Sequence, residues 1–119
     1  LAQAQLQMET GNLDMAFLLY KNAAGQDDAE ALTALGKMYD PDLHSAKTSP
    51  LPSPNPGLAA DYYKRAADAG NVLAQRRLGI LMMEGRHGAD ADITAGRQLL
   101  STAAAAGDEE AKTYLEAHP

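Results

Sequence analysis

Three histidines and three groups of carboxylates are the side chains in this sequence best suited to chemistry. His44, His87 and His118 carry imidazoles that titrate near neutrality, fit for proton transfer or for holding a metal. Asp27-Asp28, Asp90-x-Asp92 and Asp108-Glu109-Glu110 offer the oxygens of a calcium site or a paired-carboxylate acid–base centre. Their placement argues against both uses. The histidines share no helical face, and all three sit in segments that read as exposed loop or chain end. As a metal ligand, His87 would need Asp90 or Asp92 beside it in space. Each carboxylate group stands just before a helical pattern, where capping and the helix dipole already call for acids. Gly85-x-x-Gly88 has neither a preceding strand nor a third glycine, so it is not a nucleotide loop. There is no Gly-x-Ser-x-Gly turn, no phosphate-cradling loop ending in Lys and Ser or Thr, and no His-Glu-x-x-His. The reading is therefore of a chain that is not an enzyme and takes no metal or cofactor.

The elements that carry these residues are helices. The 119 residues suit one domain. The 45% apolar fraction is mostly Ala and Leu, with one Phe and no Trp, and Ala and Leu are strong helix formers. Val72, Ile80 and Ile93 are isolated β-branched residues, so no stretch reads as a strand. The absence of cysteine excludes disulfides, thiolate catalysis and Cys-based zinc sites. Ten Lys and Arg against 16 Asp and Glu give a formal net charge of −6 without a basic stripe. That balance disfavours nucleic acid and anionic membrane surfaces as partners. No run is long enough to span a bilayer. The opening Leu1-Ala2-Gln3, already helical in character, is expected to lie inside a longer or processed protein.

The dominant pattern is internal repetition. Lys21–Gly36 (KNAAGQDDAEALTALG) lies without a gap on Lys64–Gly79 (KRAADAGNVLAQRRLG) at an offset of 43 residues, and Ala16 and Tyr20 fall on Ala59 and Tyr63. At an offset of 37, Ala66–Leu78 falls on Ala103–Leu115, and Leu1–Leu6 resembles Leu73–Leu78. Each unit reads as two helices. Gly70 and Gly107 follow one helix in a left-handed position, and Asp28, Asn71 and Asp108 cap the next. Ala31, Leu35 and Tyr39, like Ala74, Leu78 and Met82, recur every fourth residue and mark one helical face, with Gly36 and Gly79 beside it for close packing. The pattern predicts seven helices at about 1–10, 13–24, 28–40, 56–69, 72–84, 91–106 and 109–117. The repeats read as a partial unit at 1–15, then 16–58, 59–95 and 96–119. Between the third and fourth helices lies Asp42–Gly57, with Pro50, Pro52, Pro54 and Pro56. This stretch reads as an excursion packed over the helices rather than as a docking peptide.

Tyr63-Lys64-Arg65-Ala66-Ala67-Asp68-Ala69-Gly70, followed by Ala74 and Leu78-Gly79, resembles the Sel-like repeat family, a relative of the tetratricopeptide repeat. Gly85-Arg86-His87-Gly88 before Asp90 and Asp92 is similar to that family's Gly-rich loop. Met82 and Leu99-Leu100 depart from its aromatic positions. The resemblance implies an all-α, right-handed α-solenoid of antiparallel helix hairpins with a concave face. It also implies an adaptor that assembles protein complexes, in many cases in the bacterial periplasm or envelope.

A partner protein or peptide is expected on the concave row of second helices. If Ala31, Leu35 and Tyr39 point inward, Thr33, Lys37 and Asp40 face outward, with Arg76, Ile80 and Met83 at related positions of the next unit and Thr113 in the last. Lys37 and Arg76 would anchor a carboxylate over an apolar floor of Ile80 and Met83. The alternative is a structural spacer, or a module that self-associates into a homo-oligomer through open apolar ends, within a larger envelope protein.

Overall fold

The computed structural model describes residues 1–119 as seven α-helices without a strand. They are α1 (Ala2–Glu9), α2 (Leu13–Ala24), α3 (Ala29–Tyr39), α4 (Pro56–Asp68), α5 (Val72–Met83), α6 (Ile93–Ala105) and α7 (Glu109–Ala117). Six begin on a side-chain cap: Asn12, Asp28, Asn55, Asn71, Asp92 and Asp108 each accept from a backbone N–H three residues on. One member of each acidic group, Asp28, Asp92 and Asp108, thus serves a helix start, as the sequence suggests. Gly70 and Gly107 hold φ values of +92° and +99° after α4 and α6. Asp27 takes the corresponding place after α2 with φ +58°, the one non-glycine residue at positive φ.

Each helix packs against its chain neighbours, and alternate helices are also linked. Gln5 of α1 donates to Glu30 of α3, Arg77 of α5 to Asp40 after α3, and Arg76 of α5 to Asp108 before α7. On the other side, the Arg65 guanidinium of α4 donates to the Ala24 carbonyl at the end of α2 and pairs with Asp27. The odd-numbered helices therefore form one row and the even-numbered helices back it.

Small residues set the spacing. A β-carbon on Gly36 would stand 2.6 Å from the Tyr63 ring, and one on Gly79 would stand 2.8 Å from the Gly96 carbonyl oxygen. Gly36 therefore seats the Tyr63 ring of α4 on α3, while Gly79 and Gly96 bring the α5 and α6 backbones together. The main core runs from Ala4 to Leu81, and Leu100, Ala103 and Ala111 form a smaller one between α6 and α7. The proline-rich segment folds back on α3: Ser49 Oγ donates to the Met38 carbonyl at 3.0 Å, and Asn55 N–H donates to the Tyr39 carbonyl at 2.9 Å. His44 Nε2 bonds the Leu51 carbonyl at 2.8 Å and Leu51 packs on the core, so the excursion lies over the helices. No helix is long and apolar enough to cross a membrane.

Candidate functional site

The histidines and carboxylates do not converge. No three His, Asp or Glu side chains are grouped to hold a metal ion. His44 is tied to Leu51, and His118 stacks on Tyr114 at 3.9 Å while its Nδ1 meets the Tyr114 carbonyl. His44 and His87, both expected to be exposed, are half-buried, and the His87 Nδ1 is shielded without a partner.

The most concentrated polar chemistry is structural. The Asp40 carboxylate, with 0% of the residue exposed, accepts four hydrogen bonds. They come from Tyr63 Oη at 2.7 Å, Arg77 Nε at 2.7 Å, Arg77 Nη2 at 2.8 Å and the Asp42 N–H at 2.8 Å. Burial, followed by the Asp40 charge, drives the Tyr63 hydroxyl far above its ordinary range. Burial works against the Arg77 charge, but the hydrogen bonds it donates to Asp40 and Asp42 outweigh it and hold the guanidinium above its ordinary value. Arg77 continues to Asp42 at 2.8 Å, Asp42 to Arg86 at 2.7 Å, Arg86 to Glu84 at 3.3 Å, and Glu84 to Tyr114 at 2.9 Å. Burial raises Asp42 first, yet the bonds from Arg77 and Arg86 bring it below the usual carboxylate value. One polar chain thus ties α3 and α4 to α5, the following loop and α7.

This arrangement corrects several of the residues expected to meet a partner. Asp40 does not face solvent; it is the centre of the buried network. Thr33 is only 6% exposed, with its hydroxyl on the Ala29 carbonyl. Both follow from the position of α3, whose neighbours α2, α4 and α5 bury an arc wider than the Ala31-Leu35-Tyr39 stripe. Tyr39 is itself only half-buried, stacked on Tyr62 at 5.9 Å and edge-on to Phe17 at 6.3 Å. Arg76 is pinned between Asp108 at 3.1 Å and Glu110 at 3.2 Å, its side chain 14% exposed, so its charge is already matched. Ile80 and Met83 are half-buried against the α6–α7 core, where Met83 abuts Gly96. Thr113 is exposed on α7.

Of the expected residues on and after α3 and on α5, Lys37 alone is exposed, and it has no ion-pair partner. It lies where two cavities of the odd-helix row adjoin. The first, about 290 Å³, is bounded by Met8, Tyr20, Ala34, Lys37, Met38, Leu43 and Thr48 and is mainly apolar. The second, about 280 Å³, runs from Lys37 past Thr33 to Gln5, Glu30, Asn71 and Leu73. Tyr20, Ala34 and Lys37 border both. Burial, then the nearby Glu30 charge, raises the Tyr20 hydroxyl above its ordinary value. Sequence reasoning named Lys37 and Thr33 among these residues and missed the rest. The available signal was the helical spacing of Glu30, Ala34 and Lys37, repeated by Gln5 and Met8 on α1.

A fold of helix hairpins stacked through one shared row defines an α-solenoid repeat protein. The family model "Sel1 repeat" matches residues 3–28, 29–71 and 72–108, and the chain belongs to the Sel1 repeat family. That division pairs α1 with α2, α3 with α4 and α5 with α6, one helix out of phase with the units read from the sequence. A crystal structure of a Sel1 repeat protein from Oxalobacter formigenes is similar to this chain with a TM-score of 0.78 at 23% identity. The match covers 96% of this chain and 43% of that one, so the chain spans under half the length of its structural neighbour. No curated protein matches the chain. Sel1 repeats generally mediate protein–protein interactions, and their helical solenoid is in general a scaffold fold.

Proposed function

We propose that this chain is a non-catalytic scaffold that holds a partner polypeptide on the row formed by α1, α3 and α5, around Lys37. One observation carries the reading: two adjoining cavities on that row share Tyr20, Ala34 and Lys37, and Lys37 is a cation with no partner of its own. Each cavity falls just below the range of about 300–1,000 Å³ typical of small-molecule sites. Together they suit side chains of an elongated segment better than one enclosed substrate. A location in the bacterial envelope belongs to the same proposal and rests on the family resemblance; fractionation of the native host tests it.

The test is capture from the native host with the whole chain as bait. Lys37→Glu is expected to lose the captured protein, and Asp61→Lys, on the exposed side of α4, to retain it. Equal capture by both variants would remove the α1–α3–α5 row from the interface. A second reading, self-association, draws on Leu6, Met15 and Leu18 at the α1–α2 end, which are 47%, 43% and 60% exposed. Sedimentation equilibrium separates the two, since only self-association raises the mass of the chain alone with concentration.

A further inference from the structure

The repeats differ at one point in a way that assigns chemistry to the first cavity. In the middle unit the Tyr63 hydroxyl is taken by the Asp40 carboxylate, which Arg77 also grips with two bonds. The internal register carries Tyr63 back to Tyr20 and Arg77 back to Ala34 at the offset of 43 residues. The correspondence of Leu1–Leu6 with Leu73–Leu78 carries the Asp40 position back to Gly11. In the first unit the tyrosine remains while its acid and the arginine are both replaced by residues without a polar side chain. Two of these three positions, Tyr20 and Ala34, border the cavity of about 290 Å³, while Gly11 borders a separate one with His44 and Ser49. Tyr20 is only 6% exposed, and its hydroxyl makes no hydrogen bond within the chain, yet the oxygen is not fully shielded where it borders the cavity. Lys37, one turn beyond Ala34, supplies an unpaired cation at the same opening.

We propose that this cavity receives a carboxylate together with the apolar side chain beside it, both from a partner polypeptide. The partner's acid takes the role in the first unit that Asp40 plays in the second. This inference rests on the scaffold reading above. Met8, Met38 and Leu43 give the cavity its apolar lining, and the flexible thioethers of methionine adapt to several side-chain shapes. The other end of the groove has opposite demands. Glu30 and Gln5 sit there, and the chain carries a net charge of −6, so a uniformly acidic partner is disfavoured. The fitting segment is mixed in charge: an Asp or Glu next to Leu, Ile, Phe or Met at the Lys37 end, and a Lys or Arg at the Glu30 end. Lys37 and Glu30 are seven residues apart on one helix, about 10 Å along its axis. That distance corresponds to about three residues of an extended partner or about seven of a helical one.

The test is selection of random displayed peptides on the whole chain, followed by anisotropy titration of the consensus peptide with its C-terminus amidated. The expected consensus is an acid beside a large apolar residue, with a base at one of those two spacings. Lys37→Glu should weaken binding by about tenfold or more and Tyr20→Phe by several-fold. Ala34→Leu, which fills the cavity, should abolish it, and Asp61→Ala should leave it unchanged. Circular dichroism shows whether each variant keeps its helices, and the exposed Lys37→Glu and the ring-preserving Tyr20→Phe keep the test decisive if Ala34→Leu does not. Peptides lost with Ala34→Leu but lacking any acid would overturn the carboxylate assignment and leave the scaffold face standing. Peptides indifferent to all three inner substitutions would overturn both readings. No enrichment over a support without the chain would overturn the present inference.

Discussion

Replacing Asp40 with Ala removes the hub of the buried network and leaves its donors in place. Tyr63, with 0% of the residue exposed, loses its acceptor. Arg77, its side chain 12% exposed, loses two of its three charged bonds and keeps only the one to Asp42. Removing one partner of a buried ion pair costs about 3–5 kcal/mol, because a charge and a hydroxyl remain desolvated without compensation. The retained Asp42 contact argues for the lower part of that range. For a domain of this size about 1 kcal/mol corresponds to roughly 4 °C in melting temperature, so a fall of roughly 12–16 °C is expected. The assay is urea unfolding followed by circular dichroism, with thermal melts alongside. A double-mutant cycle with Tyr63→Phe should show coupling, because Tyr63→Phe removes the stranded hydroxyl and should cost less in the Asp40→Ala background than in the wild type. A loss below about 1 kcal/mol with no coupling would refute the reasoning, since it would mean that the carboxylate is not what holds these donors.

Other perturbations follow from the same contacts. Gly36→Ala gains about 1 kcal/mol of helix propensity but drives a methyl group into the Tyr63 ring, so melting should show a net loss, with overpacking costing about 1–3 kcal/mol. Asn71→Ala should cost about 1 kcal/mol as a lost cap, and Asp108→Ala should cost more because Asp108 caps α7 and also holds Arg76. In acid, the stability that Asp42 contributes is complete above its ordinary value of 3.8 and is lost as pH falls through its lower folded value. Asp42→Asn should therefore flatten the acid limb of melting temperature against pH. In alkali, Tyr114 is pushed up to about 12, by burial first and then by its bond to Glu84. Its contribution is complete below 10 and is lost as pH rises towards 12, and Tyr114→Phe should remove that loss.

Local rules made most of the fold readable. Caps at Asp28, Asn71 and Asp108, and glycines after α4 and α6, placed the helix ends within a residue or two, because these signals act over three or four positions. Gly36 and Gly79 were readable as close-packing positions because the repeat places both beside the same apolar stripe. The burial of Asp40 was not readable locally, since Tyr63 lies 23 residues away and Arg77 lies 37 away. A signal existed in paired departures from the repeat: Arg77 stands where the previous unit has Ala34, and Asp40 where the next has Met83. Treating one stripe of α3 as its whole buried face hid that signal, because three neighbouring helices enclose α3. Lys37 was legible as a surface cation, whereas the cavities beside it depend on how α1 and the proline-rich segment close over α3.

The central claim, that a partner lies along α1, α3 and α5, is tested most directly by position-specific photo-crosslinking in the native host. A benzophenone side chain placed at Lys37 should yield a discrete adduct with one protein, while the same group at Asp61 of α4 or Gln98 of α6 should yield none. Adducts from Asp61 and Gln98, with none from Lys37, would place the partner on the even-numbered helices and contradict the account.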